Sequence, residues 1–170
     1  MDVEAFRALA PLCWRAPSAH NTQPWRLHYD TGAVRVGWDP ADALPAADPT
    51  GRDLRLSLGA FVETCLVVAA DAGLAVRFEA DHCAEERRVG WLRGARRRYD
   101  TPFGAAGVRD RRTHRGRYLT GAGPEVVAAP APRAALATQL GVAPERLLHV
   151  VRVGRPAMAA APSARRRDAR

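Results

Sequence analysis

The 170-residue chain carries 26 basic residues, all of them arginine, against 18 acidic ones, for a net charge of +8. That length favours a single domain able to bury a real core, and apolar and charged fractions of 47% and 26% are ordinary for a globular protein. No stretch approaches the roughly 18 apolar residues of a membrane span, and three cysteines without C-x-x-C spacing exclude a disulfide framework or a zinc site.

Asp2 is placed to cap a first helix whose apolar face is Val3, Phe6, Leu9 or Ala10, and Cys13 or Trp14, with Pro17 stopping it. The opening Met1-Asp-Val-Glu-Ala is acidic and lacks an apolar run, so it does not read as a signal peptide, and a cytoplasmic location is expected. Trp25 to Asp30 and Val34 to Trp38 alternate as strands around the turn Asp30-Thr-Gly-Ala33. After a Pro- and Asp-rich loop, Arg52 to Ala72 reads as a helix, apolar almost all round beyond Leu58, with Gly73 at the C-cap. Leu74 to Ala80 and Arg87 to Arg93 read as a strand pair, and Ala105 to Arg115 as a short helix. Glu125 to Leu140 has helical composition interrupted by Pro130 and Pro132. Leu147 to Val153 reads as a buried strand, and the Ala, Pro and Arg tail from Arg155 to Arg170 as disordered unless an anion orders it. The sequence pattern therefore predicts an α+β (α/β) fold.

The segment Arg15-Ala-Pro-Ser-Ala-His-Asn-Thr-Gln-Pro-Trp25 stands out chemically. Two prolines stiffen a loop between a helix and a strand, which lowers the entropy lost when a ligand orders it. Ser18, Asn21 and Gln23 offer a hydroxyl and two amides, donors and acceptors together. On the residues alone, an ordinary Pro-bounded turn with self-capping Ser and Asn is the preferred reading. The five histidines show no metal-ligand spacing to one another, and no acid–base triad is visible. Neither a metal site nor a catalytic side chain is assigned.

Pro-Ser-x-x-Asn-x-Gln-Pro-Trp at the entrance to a strand resembles the flavin-contacting signature of nitroreductases. The fuller string from Arg15 to Arg26 is similar to a two-module branch of that family, the Acg-like proteins. Asp48-Pro-Thr-Gly-Arg-Asp53 followed by Leu56-Ser-Leu-Gly-Ala-Phe61 resembles that branch's lead into its central helix. Arg111-Arg-Thr-His-Arg-Gly-Arg-Tyr118 resembles its second, Arg-rich motif, and Leu147 to Pro156 with Pro162 to Arg167 its closing strand and basic tail. The resemblance implies a nitroreductase-like mixed sheet flanked by helices, shortened relative to the family. It divides the chain into an FMN-binding region over 1–120, a reduced remainder of a second module over 121–154, and a basic tail over 155–170.

For the site, the resemblance implies FMN held by Ser18, Asn21 and Gln23, with Arg111, Thr113 and Arg165 at the phosphate and Arg115 at the pyrimidine end of the reduced flavin. The implied activity passes electrons from NAD(P)H through FMN to a nitroaromatic or quinone-like acceptor. The alternative is a flavin-binding or sequestering protein without turnover, since no residue is identified opposite the flavin N5. A chain lacking its partner module is expected to expose the apolar face of Arg52 to Ala72 and to cover it by homodimerisation. The partners expected are thus a small-molecule electron acceptor and a second copy, with no membrane. The all-arginine basic set fits either a phosphate-gripping surface or codon bias in a GC-rich gene. Without aromatic interleaving or a recognition module, it argues against nucleic acid.

Overall fold

The Asp2 carboxylate accepts from the Ala5 amide at 2.9 Å and starts α1, Val3–Cys13, as its capping chemistry predicts. The structure, a computed structural model, describes residues 1–113. The expected elements over 125–140 and 147–153, the tail from 155, and Arg115 and Arg165 lie outside the described residues. Two hairpins follow α1: β1, Trp25–Asp30, with β2, Ala33–Trp38, and, after the 20-residue α2, Arg52–Asp71, β3, Val76–Cys83, with β4, Arg88–Gly94. α3, Ala105–Asp110, closes the described chain. This is an α+β fold.

The strand order is β1-β2-β4-β3, and every described pair is antiparallel. Period-two alternation sets the faces. Trp25 and Leu27 of β1, Val34 and Val36 of β2, Leu92 of β4 and Val76 of β3 point into one core with Phe6, Ala10 and Cys13 of α1 and Leu58, Phe61 and Cys65 of α2. The opposite face carries an ionic lattice. Arg93 meets Glu79 at 2.7 Å and Arg88 meets Asp81 at 3.1 Å, both around Trp91, whose indole N–H donates to Asp81 at 3.0 Å. The Arg93 guanidinium lies 5.0 Å from the centre of the Trp91 ring.

α2 is fixed at both ends by side-chain and backbone chemistry rather than by propensity. The Asp48 carboxylate accepts from the amides of Arg52 and Leu54 at 2.8 and 2.9 Å, satisfying donors that the first helical turn leaves unpaired. At the other end Gly73 adopts a φ of +82°. Its N–H reaches Ala70 O and that of Leu74 reaches Ala69 O, a Schellman closure. Leu58, Phe61, Val62, Cys65, Leu66, Val67 and Val68 are all buried within the chain. This corrects the expectation of an exposed apolar face on this helix: the chain covers it, and the case for a second copy loses that reason. Cys13 and Cys65 are core residues as well, and burial next to Cys13 pushes the Cys65 thiol well above its usual range.

β4 crosses β3 very closely at Gly90. A Cβ placed there would sit 2.2 Å from Glu79 O and 2.6 Å from the Phe78 ring. Both are held by the sheet, so neither can yield cheaply. Gly90→Ala is expected to destabilise the protein by about 1–3 kcal/mol through forced strand displacement, read as a lower denaturant midpoint at unchanged m-value.

Candidate functional site

The loop between α1 and β1 begins where α1 runs out of helical partners. Arg15 N and Ala16 N still reach back three residues, to Leu12 O and Cys13 O, and then Ser18 turns extended. From there the chain makes a tight double turn. Asn21 N donates to Ser18 O at 3.0 Å, Thr22 N to Ala19 O at 3.1 Å, and Gln23 N to the Ser18 hydroxyl at 3.0 Å. These three amides are thus satisfied within the loop, as buried backbone requires.

Its geometry is costly. His20, Asn21 and Gln23 hold φ of +50°, +57° and +52°, in the left-handed region, and none is glycine. Asparagine tolerates that region; histidine and glutamine do so at a cost of order 1 kcal/mol or more each. Such a conformation persists only where its surroundings determine it, and four braces do so. From below, Trp25 is fully buried, stacked on Phe61 with ring centres 4.5 Å apart and edge-on to Trp14 at 6.2 Å. From the side, the Ser57 hydroxyl of α2 accepts from Ala19 N at 3.1 Å while donating to Asp53 O at 2.7 Å. Within the loop, the Gln23 amide donates to Trp14 O and to the Asn21 side-chain oxygen, both at 3.4 Å.

The fourth brace is a reciprocal arginine clasp. The Arg15 guanidinium donates to Arg109 O at 2.8 Å and Val108 O at 3.3 Å, carbonyls in the last turn of α3. The Arg111 guanidinium in turn donates to Arg15 O through two nitrogens, at 2.6 and 3.1 Å. Two stretches nearly a hundred residues apart in sequence therefore meet at the root of the loop. Charged donors on backbone carbonyls are among the stronger hydrogen bonds.

The expected site residues distribute unevenly over this arrangement. Ser18 and Asn21 are half-buried at the loop and His20 is exposed at its apex, whereas Gln23 is only 2% exposed, its amide engaged inside the loop. Arg111 is brought to the loop, but through the carbonyl of Arg15. Thr113 follows α3 in the described chain, and Arg115 and Arg165 fall outside it. Arg15 and Ser57 both stand within the motifs noted in the sequence, but neither is given a role by them. The one signal for Ser57 was a hydroxyl on a helix that is otherwise apolar at its buried positions. Beneath the loop, Thr22, Ser57, Asp42, Asp48 and Asp53 help to line a cavity of about 10 Å³, room for one water at most. Among the described residues no cluster of three or more His, Cys, Asp or Glu could hold a metal ion, and no helix is long and apolar enough to cross a membrane.

Comparison with known proteins places the likeness in part of the chain. A 72-residue segment is 40% identical to "Putative NAD(P)H nitroreductase Rv3131" of Mycobacterium tuberculosis, and a 79-residue segment is 34% identical to "Putative NAD(P)H nitroreductase acg" of the same organism. These matches cover 42% and 46% of this chain but only 21% and 24% of the relatives. The chain is thus similar to proteins named as NAD(P)H nitroreductases over about a fifth to a quarter of their length. No protein-family model matches it.

Proposed function

We propose that the protein is an FMN-dependent oxidoreductase of the nitroreductase family and that the 15–25 loop is its flavin contact. The observation that carries this reading is the braced left-handed loop. A chain that holds His20, Asn21 and Gln23 at positive φ, and spends Trp25, Ser57, Arg15 and Arg111 to keep them there, maintains a fixed edge of polar groups. The similarity to proteins named as NAD(P)H nitroreductases supports the same reading.

The residues fit such a ligand in their chemistry. The pyrimidine edge of a flavin alternates carbonyl acceptors with an N–H donor, and the Asn21 amide and Ser18 hydroxyl at the loop supply both kinds of partner. Gln23 acts from beneath by holding Asn21 and the Trp14 carbonyl. Arg109, Arg111 and Arg112 put a cationic stretch on the chain that follows, the kind of group a phosphate takes, and Thr113, Arg115 and Arg165 complete the proposed set. FMN bound there would supply the redox chemistry between NAD(P)H and a nitroaromatic or quinone-like acceptor. The protein's part is to orient the ring and to stabilise charge at its pyrimidine end.

The test is colour followed by turnover. The purified protein is expected to keep a flavin absorption spectrum through desalting and to oxidise NAD(P)H in the presence of a nitro or quinone acceptor. Loss of all flavin on desalting, with no binding on addition of FMN, removes the proposal. Retained flavin without NAD(P)H oxidation leaves a flavin-holding protein and removes the turnover. Asn21→Ala is expected to weaken FMN roughly tenfold or more and to cost about 1 kcal/mol of stability as well, because it also places alanine at positive φ and removes an acceptor of the Gln23 amide. Fluorescence titration of FMN against both proteins reads it.

A further inference from the structure

Beyond β4 the chain forms a strap over residues 95–103 that is pinned to the rest of the structure along its length. Ala95 N donates to Ala75 O at 2.9 Å, and the Tyr99 hydroxyl reaches both carboxylate oxygens of Glu63 on α2 at 2.9 and 3.0 Å. Phe103 N donates to the Thr101 hydroxyl at 3.2 Å, and Gly104 then passes so near α2 that a Cβ would lie 2.7 Å from an Asp71 oxygen. What this strap holds outward differs from what the sheet carries. Arg35, Arg77, Arg88 and Arg93 on the sheet all have carboxylate partners, whereas the exposed Arg96, Arg97 and Arg98 form no ion pair among the described residues. Phe103 is 71% exposed, against its apolar character. Beside them lies an open cavity of about 650 Å³, lined by Asp71, Arg97, Arg98, Tyr99, Asp100 and Phe103. That volume is in the range of small-molecule sites.

We propose that this cavity takes the adenosine 2′-phosphate end of NADPH and so selects NADPH over NADH. The inference rests on the NAD(P)H oxidoreductase reading and names the cosubstrate. A terminal phosphomonoester carries close to two negative charges, and the guanidiniums of Arg97 and Arg98 are the donors that match it in both charge and geometry. The exposed Phe103 ring is a stacking surface for a purine, and exposed aromatic–base stacking of this kind binds appreciably. Asp71 and Asp100, in the same lining, are placed to accept from ribose hydroxyls. Ala70, at this cavity, lies 13 residues beyond Ser57 on α2, roughly 20 Å along the helix axis at about 1.5 Å per residue. An extended dinucleotide spans such a distance, so one molecule can anchor here and present its nicotinamide towards the loop end of α2.

The experiment is calorimetric and needs no flavin. The full chain is titrated with adenosine 2′,5′-bisphosphate, adenosine 5′-monophosphate, inorganic phosphate and a short single-stranded oligonucleotide. The bisphosphate is expected to bind at least tenfold more tightly than the monophosphate. Arg97→Ala and Arg98→Ala are each expected to weaken it roughly tenfold, as the loss of a charge-assisted hydrogen bond does, and Phe103→Ala to weaken both nucleotides, all at unchanged melting temperature. Equal affinity for the two nucleotides, indifference to the substitutions, or tighter binding of the oligonucleotide overturns the proposal. Where turnover is present, the same arginine variants are expected to raise KM for NADPH while leaving KM for NADH and kcat alone. A protein that binds the bisphosphate but retains no flavin keeps this site and removes the flavin reading instead.

Discussion

Trp25→Ala is expected to cost about 3–5 kcal/mol of stability, the usual range for emptying a buried aromatic position, and to abolish flavin retention with it. The side chain is fully buried, stacked on Phe61 and edge-on to Trp14, and it is the first residue of β1. Removing it leaves a void beside Trp14, whose carbonyl accepts from the Gln23 amide, in a loop whose backbone is already in a costly conformation. Strain of that kind survives only while the packing around it leaves no alternative, so the loop is expected to relax before the sheet melts. Trp25→Phe separates the two effects. It preserves an aromatic face against Phe61, and it also removes an indole N–H that is buried without a hydrogen-bond partner among the described residues. Deleting an unsatisfied buried donor recovers part of the cost of the lost volume, and a loss below about 2 kcal/mol with measurable flavin binding is expected. Chemical denaturation and FMN titration of both variants are the measurements. Wild-type flavin affinity in Trp25→Ala would show that the loop's shape does not depend on its anchor.

The elements that could be read from the sequence are those whose signals are local. Asp2 and the apolar spacing of Phe6, Ala10 and Cys13 determine α1, and Gly73 stops α2 within a residue of where composition placed the end. The first hairpin follows from alternation around Thr31-Gly32, with Gly32 at a φ of +75°. α3 was legible only in its first half. It ends at Asp110 rather than Arg115, because Arg111 turns to a ψ of +131° and its guanidinium lies on a carbonyl of the distant loop. A tertiary partner overrides local preference there, and no window of sequence contains it. The same reason hides Ser57 and Arg15. Ser57 matters through the amide of Ala19 and Arg15 through the carbonyls of Val108 and Arg109, and backbone atoms leave no trace in residue type. Composition misled in a further way. With arginine supplying all 26 basic residues, nothing in the sequence separates those that lock the sheet, such as Arg88 and Arg93, from those that stand outward, such as Arg97 and Arg98.

Arg111 is where the sequence-based expectation and the geometry lead to different outcomes. If its charge serves a phosphate, as the family resemblance implies, Arg111→Lys keeps most of the flavin affinity, because an ammonium binds phosphate well as a point charge. If its main work is the clasp, Lys fails, because it cannot place two donors on the Arg15 carbonyl in the fixed planar fork that Arg provides. The geometry favours the second outcome: two guanidinium nitrogens lie 2.6 and 3.1 Å from that one oxygen. Arg111→Ala and Arg15→Ala are each expected to lose roughly 1.5–3 kcal/mol of stability, the worth of hydrogen bonds from a charged group, and most of the flavin affinity. The two arginines hold the same pair of segments from opposite sides, so the double variant is expected to be little worse than either single one, a coupling close to one single loss, about 1.5–3 kcal/mol, in a double-mutant cycle. Strictly additive losses would mean that the two arginines act independently. Arg111→Lys binding FMN as tightly as the wild type would return Arg111 to the phosphate and leave the loop to its other three braces.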